Sequence, residues 1–250
     1  MSDENRSERA ITIDGYDHLA TRRETLERWE SPWADSPYQK YYVWPAVRRI
    51  LPDVSELDVL DAGCGIGDYT GTLLERGASV VGVDTSENAL ATARERFGDR
   101  ATFHRQDLTE PLEFASAGRF DLVFCNLVLD HIEDWGPVFT EFQRVLTPGG
   151  EVVFTTIHPM RRYRRHRDEL TGYHETEAYV SEWGTTDARI ASYHRPVEAI
   201  LESLTEAGFS VDEFREATPQ EQFAEYDPER YETAMERPDT LCVRARVTEQ

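Results

Sequence analysis

Between residues 57 and 157 the chain alternates short, nearly continuous apolar runs with stretches whose apolar residues recur at helical spacing. This alternation constrains the fold more than any other feature. The runs at 57–62, 79–84, 101–106, 120–126 and 151–157 read as strands. The stretches at 68–76, 86–97 and 135–146 read as helices; in the last, Val138, Phe139, Phe142, Val145 and Leu146 fall on one side. Gly77 and Gly98 stop the first two, and Pro148-Gly149-Gly150 is expected to turn the chain before the fifth strand. Strands that are apolar on both sides need both faces covered, so the pattern predicts an α/β fold with a parallel sheet between two helical layers. The C-terminal part differs. Residues 195–207 read as a helix and 209–214 as a strand, while 240–247 alternates Leu241, Val243, Ala245 and Val247 against Cys242, Arg244 and Arg246. Period two with one polar side predicts an antiparallel hairpin closing the sheet edge.

Two regions fall outside this scheme. Residues 1–50 form an expected N-terminal cap segment, polar and frayed over 1–15, then helical with aromatic anchors at Trp29, Trp33, Tyr38, Tyr41, Tyr42 and Trp44. Residues 51–250 form the α/β domain, interrupted by an insertion at 158–194 that is rich in Arg, His and Tyr and shows no clear periodicity. No apolar stretch approaches the roughly 18 residues needed to span a bilayer, and the charged residues 1–9 do not read as a signal peptide. Cys64, Cys125 and Cys242 are odd in number and scattered, without metal or disulfide spacing, so a reduced, cytoplasmic, metal-free protein is expected. Forty-eight acidic residues face 27 basic ones, of which only Lys40 is lysine, for a net charge of −21. A lysine-poor, acidic surface fits a halophilic, salt-rich cytoplasm where charges are screened within a few ångströms; an ordinary acidic enzyme is the alternative. Either way the charge disfavours nucleic-acid binding, because phosphate contacts need a basic face.

The chemistry concentrates at strand ends. Residues 59–68 close the first strand and open a helix through Gly63-x-Gly65-x-Gly67, which lets the backbone turn sharply and approach a ligand. The spacing is not the G-x-G-x-x-G of dinucleotide enzymes, and Asp61 precedes it. A pyrophosphate would be repelled by that carboxylate; a cationic or zwitterionic ligand would be attracted. Asp84 ends the second strand, where it can accept from both hydroxyls of a ribose or act as a helix N-terminal acid. Asp107 ends the third, where it can accept from an adenine amino group beside the Leu108 N–H, or simply serve a turn. Three acids at three successive strand ends form one constellation.

These segments, with 81–84, 106–108, 120–126 and 146–150, resemble class I S-adenosylmethionine-dependent methyltransferases in order and spacing. Residues 36–45, 127–135, 157–159 and 193–196 are similar to a branch of small, stand-alone, type 11-like methyltransferases of mostly unassigned substrate. The resemblance implies a Rossmann-like sheet of order 3-2-1-4-5-7-6 with strand seven antiparallel, and S-adenosyl-L-methionine as cofactor. It implies cofactor contacts from Asp61, Gly63, Cys64, Gly65, Asp84, Thr85, Asp107, Leu108, Asn126 and Leu127, with Tyr42 contributed by the aromatic N-terminal segment. The acceptor pocket is then expected from that segment and the insertion, with Tyr16, Arg162, Trp183 and Tyr193 as its residues.

Methyl transfer asks for alignment and exclusion of water, with a base only where the nucleophile arrives protonated. His131, five residues past the fourth strand, is the first candidate base, and His158 at the end of the fifth is the second; either could equally be a packing histidine. Five arginines within 161–167 read either as a lid for an anionic substrate or as a solvated loop paired with Asp168 and Glu169. The expected function is methyl transfer to a small molecule. The alternatives are a methyltransferase of RNA or protein, a non-enzymatic S-adenosylmethionine-binding regulator, and, against the glycine spacing, a nicotinamide dehydrogenase.

Overall fold

The computed structural model describes residues 7–28 and 31–248; Trp29 lies outside them. In chain order the strands are β1 (Asp58–Ala62), β2 (Ser79–Asp84), β3 (Ala101–Arg105), β4 (Phe120–Asn126), β5 (Leu146–Ile157), β6 (Glu177–Glu182), β7 (Arg189–His194), β8 (Phe209–Glu216) and β9 (Thr240–Val247). The α-helices are α1 (Glu8–Thr21), α2 (Trp44–Ile50), α3 (Asp68–Glu75), α4 (Glu87–Phe97), α5 (Trp135–Val145), α6 (Pro159–Arg165), α7 (Val197–Glu206) and α8 (Pro228–Glu236). Seven strands form one sheet in the order β3-β2-β1-β4-β5-β9-β8, and β6 and β7 form a separate hairpin. β1 to β5 pair in parallel, whereas β9 runs antiparallel to both β5 and β8. Numbered within the sheet, this is the expected 3-2-1-4-5-7-6 order with strand seven antiparallel.

The continuous apolar runs are explained by the two layers. On one side, Leu60, Val123, Val152, Phe154 and Val243 pack with Trp135, Phe139 and Phe142 of α5 and Ile200 and Leu204 of α7. On the other, Val59, Leu122, Phe124, Val153 and Cys242 pack with Val47 and Ile50 of α2, Leu73 of α3 and Ala234 of α8. Adjacent residues of one strand therefore serve opposite cores, so no polar alternation is visible in the sequence.

Three expectations need correction. Pro148-Gly149-Gly150 does not precede the fifth strand but forms a bulge within it: Phe120 pairs with Leu146 and Leu122 with Glu151, so the intervening residues loop out. Residues 8–15 are not frayed. They begin α1, whose N-terminus is capped by the Ser7 Oγ accepting from the Ala10 N–H at 3.3 Å. The 158–194 insertion is not irregular, since it contains α6 and the β6–β7 hairpin. α1 and this hairpin hold each other. Thr12 Oγ1 donates to the Ala191 carbonyl at 2.9 Å and accepts from the Ala191 N–H at 3.1 Å. A Cβ on Gly15 would lie 2.3 Å from the Arg189 carbonyl oxygen, so only glycine permits this approach. At the other flank Asp17 accepts from Ser86 Oγ and Asn88 Nδ2, both at 2.6 Å, tying α1 to the start of α4.

Candidate active site

The C-terminal ends of β1 to β4 open into one cavity of about 800 Å³, roofed by α1 and the β6–β7 hairpin and bounded by α6. A crevice at this end of a doubly wound sheet is where such folds bind ligands. Asp61, Gly63, Cys64, Gly65, Asp84, Thr85, Asp107, Leu108, Asn126 and Leu127 all line it, as do Tyr16, His131, Arg162, Trp183 and Tyr193.

The glycine turn needs its glycines. Gly63, Gly65 and Gly67 have φ of 77°, 54° and 79°, the left-handed region that L side chains rarely adopt. A Cβ on Gly63 would also sit 2.3 Å from Val128 Cγ2. Asp84 pins the turn: one carboxylate oxygen accepts from the Gly65 N–H at 2.8 Å and the other from the Ser86 N–H at 2.9 Å. A carboxylate has about four lone-pair sites, so acceptor capacity is left for a ligand. Burial raises the Asp84 carboxyl above the usual range, against which those backbone hydrogen bonds work. Asp61 is 2% exposed, and its side chain accepts from Thr70 Oγ1 at 2.5 Å. Burial, reinforced by the charges of Asp84 and Asp68, pushes its pKa up to about 7. Asp107 is more committed than expected: Oδ1 accepts from the Thr109 N–H at 2.9 Å and hydroxyl at 2.7 Å, and Oδ2 pairs with Arg9 of α1.

The cavity floor lies at the end of β4. Asn126 Oδ1 accepts from Thr155 Oγ1 at 2.7 Å, and Leu127 holds a φ of 55°, a strained conformation for a non-glycine residue. Gln39, in a wide π-type turn over Gln39–Val43, accepts from Tyr69 Oη at 2.7 Å through Oε1, and Asn126 Nδ2 approaches the same oxygen at 3.4 Å. The aromatic N-terminal segment contributes Trp33, Tyr38 and Gln39 to the wall, together with Ser31, Pro32, Ala34 and Ser36. Tyr42 is not among them. It is fully buried in the core beneath, edge-on to Tyr38, with its hydroxyl accepting from the Asp239 N–H at 2.7 Å. The assignment of Tyr42 to the cofactor is thereby corrected.

The two candidate bases separate. His131 Nδ1 lies 2.9 Å from the Ala191 carbonyl, which can only accept, so Nδ1 carries the proton. Nε2 is then the acceptor, and Tyr16 Oη donates to it at 2.9 Å. Burial lowers the His131 pKa and raises that of Tyr16, which keeps both neutral. Tyr16 and His131, expected separately, form one dyad facing the cavity. His158 does not face it. Its Nδ1 accepts from the Met160 N–H at 3.1 Å as the cap of α6, and its Nε2 meets Glu216 at 3.1 Å in a separate outer groove. His158 is a helix cap, and the His158-Pro159 pair was the legible sign, since proline favours the first helical position.

Among the described residues the arginine segment partners neither Asp168 nor, except through His166, Glu169. Arg162 instead pairs with Asp130 at 3.3 Å and Arg161 with Asp239 at 3.1 Å. Asp130, Arg161, Arg165 and Arg230 also line the cavity. Sequence reading missed Asp130, whose partners Thr156 and Arg162 come from β5 and α6, and Arg230, which shares Asp239 with Arg161 of α6. Among the described residues no cluster of three or more His, Cys, Asp or Glu side chains could hold a metal, and no helix is long and apolar enough to cross a membrane.

Comparison with known proteins bears on the fold. The family profile described as Methyltransferase domain matches residues 60–154. A ubiquinone biosynthesis O-methyltransferase of Pseudomonas paraeruginosa is 38% identical over 102 residues, covering 40% of this chain and 44% of the relative. The chain thus spans less than half the length of the curated relatives it matches. The crystal structure of an S-adenosylmethionine-dependent methyltransferase from Mesorhizobium loti is 29% identical, covers 81% of this chain and 96% of its own, and superposes with a TM-score of 0.66. A structure from Listeria monocytogenes, 22% identical over 82% of this chain and 96% of its own, shares the fold with a TM-score of 0.72. The matched residues, 60–154, run from β1 into β5.

Proposed function

We propose that this protein transfers a methyl group from S-adenosyl-L-methionine to a small-molecule acceptor. The observation that carries this is one cavity lined by the glycine turn, the three strand-end acids and the Tyr16–His131 dyad. Its volume, about 800 Å³, lies in the range of sites for small molecules. The donor set suits the cofactor. Asp61 is a buried carboxylate whose side chain has one hydroxyl partner, a site that favours a cationic amino group. Asp84 has acceptor capacity left for a ribose diol.

When bound, S-adenosylmethionine supplies a methyl group already activated by its sulfonium. The protein contributes orientation, worth about 7–11 kcal/mol in favourable cases, exclusion of water and a proton acceptor. Asp61, Gly63, Gly65, Asp84 and the 107–108 turn hold the cofactor, and α1 with the hairpin keeps water out. The dyad takes the acceptor's proton: Tyr16 Oη passes its own proton to His131 Nε2 while receiving one. We extend the proposal to residues 1–50 as a cap, 51–250 as the catalytic domain, and a salt-rich cytoplasm as the setting. The net charge of −21 speaks against an RNA substrate. The name of the Pseudomonas relative, a ubiquinone biosynthesis O-methyltransferase, supports a small-molecule acceptor.

A cell extract incubated with the protein and methyl-labelled S-adenosylmethionine, then fractionated by size, tests this. Label is expected in the small-molecule fraction, and label confined to RNA or protein contradicts the acceptor class. On the isolated acceptor, His131→Ala is expected to lower turnover by about 10²-fold or more; near-normal turnover removes the dyad as base.

A further inference from the structure

The cavity is electrically polarised. Asp61, Asp84 and Asp107 stand at the ends of β1 to β3, with Arg9 on Asp107, and Arg161, Arg162 and Arg165 of α6 with Arg230 of α8 stand past β5; Asp68, Glu133, Asp134 and Glu182 line the cavity as well. In a chain of net charge −21 such a convergence of arginines is unexpected. Two carboxylates reach these four cations. Asp239 is shared, with Oδ1 on Arg161 Nε and Oδ2 on Arg230 Nε, each at 3.1 Å. Asp130 pairs with Arg162, but it also accepts from Thr156 Oγ1 at 2.7 Å and the Ile157 N–H at 3.2 Å. Arg165 has no carboxylate within ion-pair distance among the described residues. Glu216, Asp227 and Glu229 line the groove behind these arginines, yet Glu216 is held by His158 and Asp227 caps α8.

Two buried polar atoms in the same wall add to the imbalance. Tyr179 is 4% exposed, and its hydroxyl has no hydrogen-bond partner among the described residues. The Nε of Arg162, whose guanidinium lies over the Tyr179 ring at 5.3 Å, has none either. Donors without acceptors, beside cations in excess of anions, describe a site for an oxyanion. Its position follows from the chain: Arg162 is anchored on Asp130, the residue before His131, so the site adjoins the dyad.

We infer that Arg161, Arg162, Arg165, Arg230 and Tyr179 form a subsite for an anionic group, a carboxylate or phosphate ester, carried by the methyl acceptor. This rests on the proposed function in taking the acceptor to bind beside Tyr16 and His131. The cofactor's own carboxylate has the same chemistry, and the test separates the two.

Calorimetry on the protein saturated with S-adenosylhomocysteine compares 4-hydroxybenzoate with 4-hydroxybenzamide, and phenyl phosphate with phenol. At least one charged probe is expected to bind tenfold or more tighter than its neutral counterpart. Arg161→Gln/Arg165→Gln is expected to remove that preference while S-adenosylhomocysteine affinity stays within twofold. Arg165 is exposed, so Arg165→Gln alone retains the fold and is expected to lose at least threefold of the preference. Equal binding of charged and neutral probes, or a preference unchanged in both variants, overturns the inference. A tenfold loss of S-adenosylhomocysteine affinity in the double variant overturns it differently, by giving the arginines to the cofactor. If S-adenosylhomocysteine does not bind at all, the proposed function fails, and the same probe pairs on the free protein still decide the subsite.

Discussion

Replacing Asp84 with alanine is expected to weaken S-adenosylmethionine binding by more than tenfold. Hydrogen bonds to a charged group contribute about 1.5–3 kcal/mol each, and 1.4 kcal/mol is a factor of ten. The substitution removes the acceptor for a ribose diol and, in the same step, the carboxylate that holds the Gly65 N–H at 2.8 Å. The two losses can be told apart. The natural protein should discriminate S-adenosylhomocysteine from its 2′-deoxyribose analogue, and the Asp84→Ala protein should not. Titration calorimetry measures all four affinities. Unchanged affinity for the natural ligand in the variant would refute the ribose assignment.

The second large effect is on pH. Burial pushes Asp61 up to about 7 in the free protein, whereas an unfolded aspartate titrates near 3.8. A cation bound beside it favours the carboxylate, so ligand and proton compete. As pH falls below about 7 the cofactor must displace a proton, and affinity drops toward tenfold per pH unit, about 10²-fold between pH 8 and pH 5. The stability of the free protein runs the other way. The folded state holds this proton more tightly than the unfolded chain, so between pH 4 and 7 Asp61 contributes stability that is lost as pH rises. Cofactor should therefore raise the melting temperature more at pH 8 than at pH 5. In Asp61→Asn this pH dependence should disappear along with much of the affinity. A wild-type affinity that is flat from pH 5 to 8 would contradict the role given to Asp61.

How much of this was legible follows from where each signal resides. The sheet was readable because strands buried on both faces must be apolar throughout, and β9 betrayed its direction by alternating Leu241, Val243 and Ala245 with two arginines. The glycine turn and its acids were readable because they are local to strand ends. α1 was not. Its buried residues are Thr12, Gly15 and Leu19, so the face that meets the hairpin carries almost no apolar periodicity. The hairpin was missed for a related reason: on β6 only Tyr179 is buried, and its partner β7 is buried on both sides. Tyr42 was placed at the cofactor by the resemblance alone, which does not say which tyrosine of the segment 38–42 faces the cavity. Tyr38 lines the cavity and Tyr42 lies behind it, in contact at a centroid distance of 5.5 Å. The Tyr16–His131 dyad joins residues 115 positions apart, a relation that no local pattern carries.

The central claim is that the turn from Asp61 to Gly67 holds S-adenosylmethionine and not a dinucleotide. Titration calorimetry of the protein with S-adenosylmethionine and, separately, with NAD in molar KCl tests it directly. The predicted result is saturable binding of S-adenosylmethionine at micromolar concentration and none of NAD. Absence of S-adenosylmethionine binding at high micromolar concentration, or tighter binding of NAD, would contradict it.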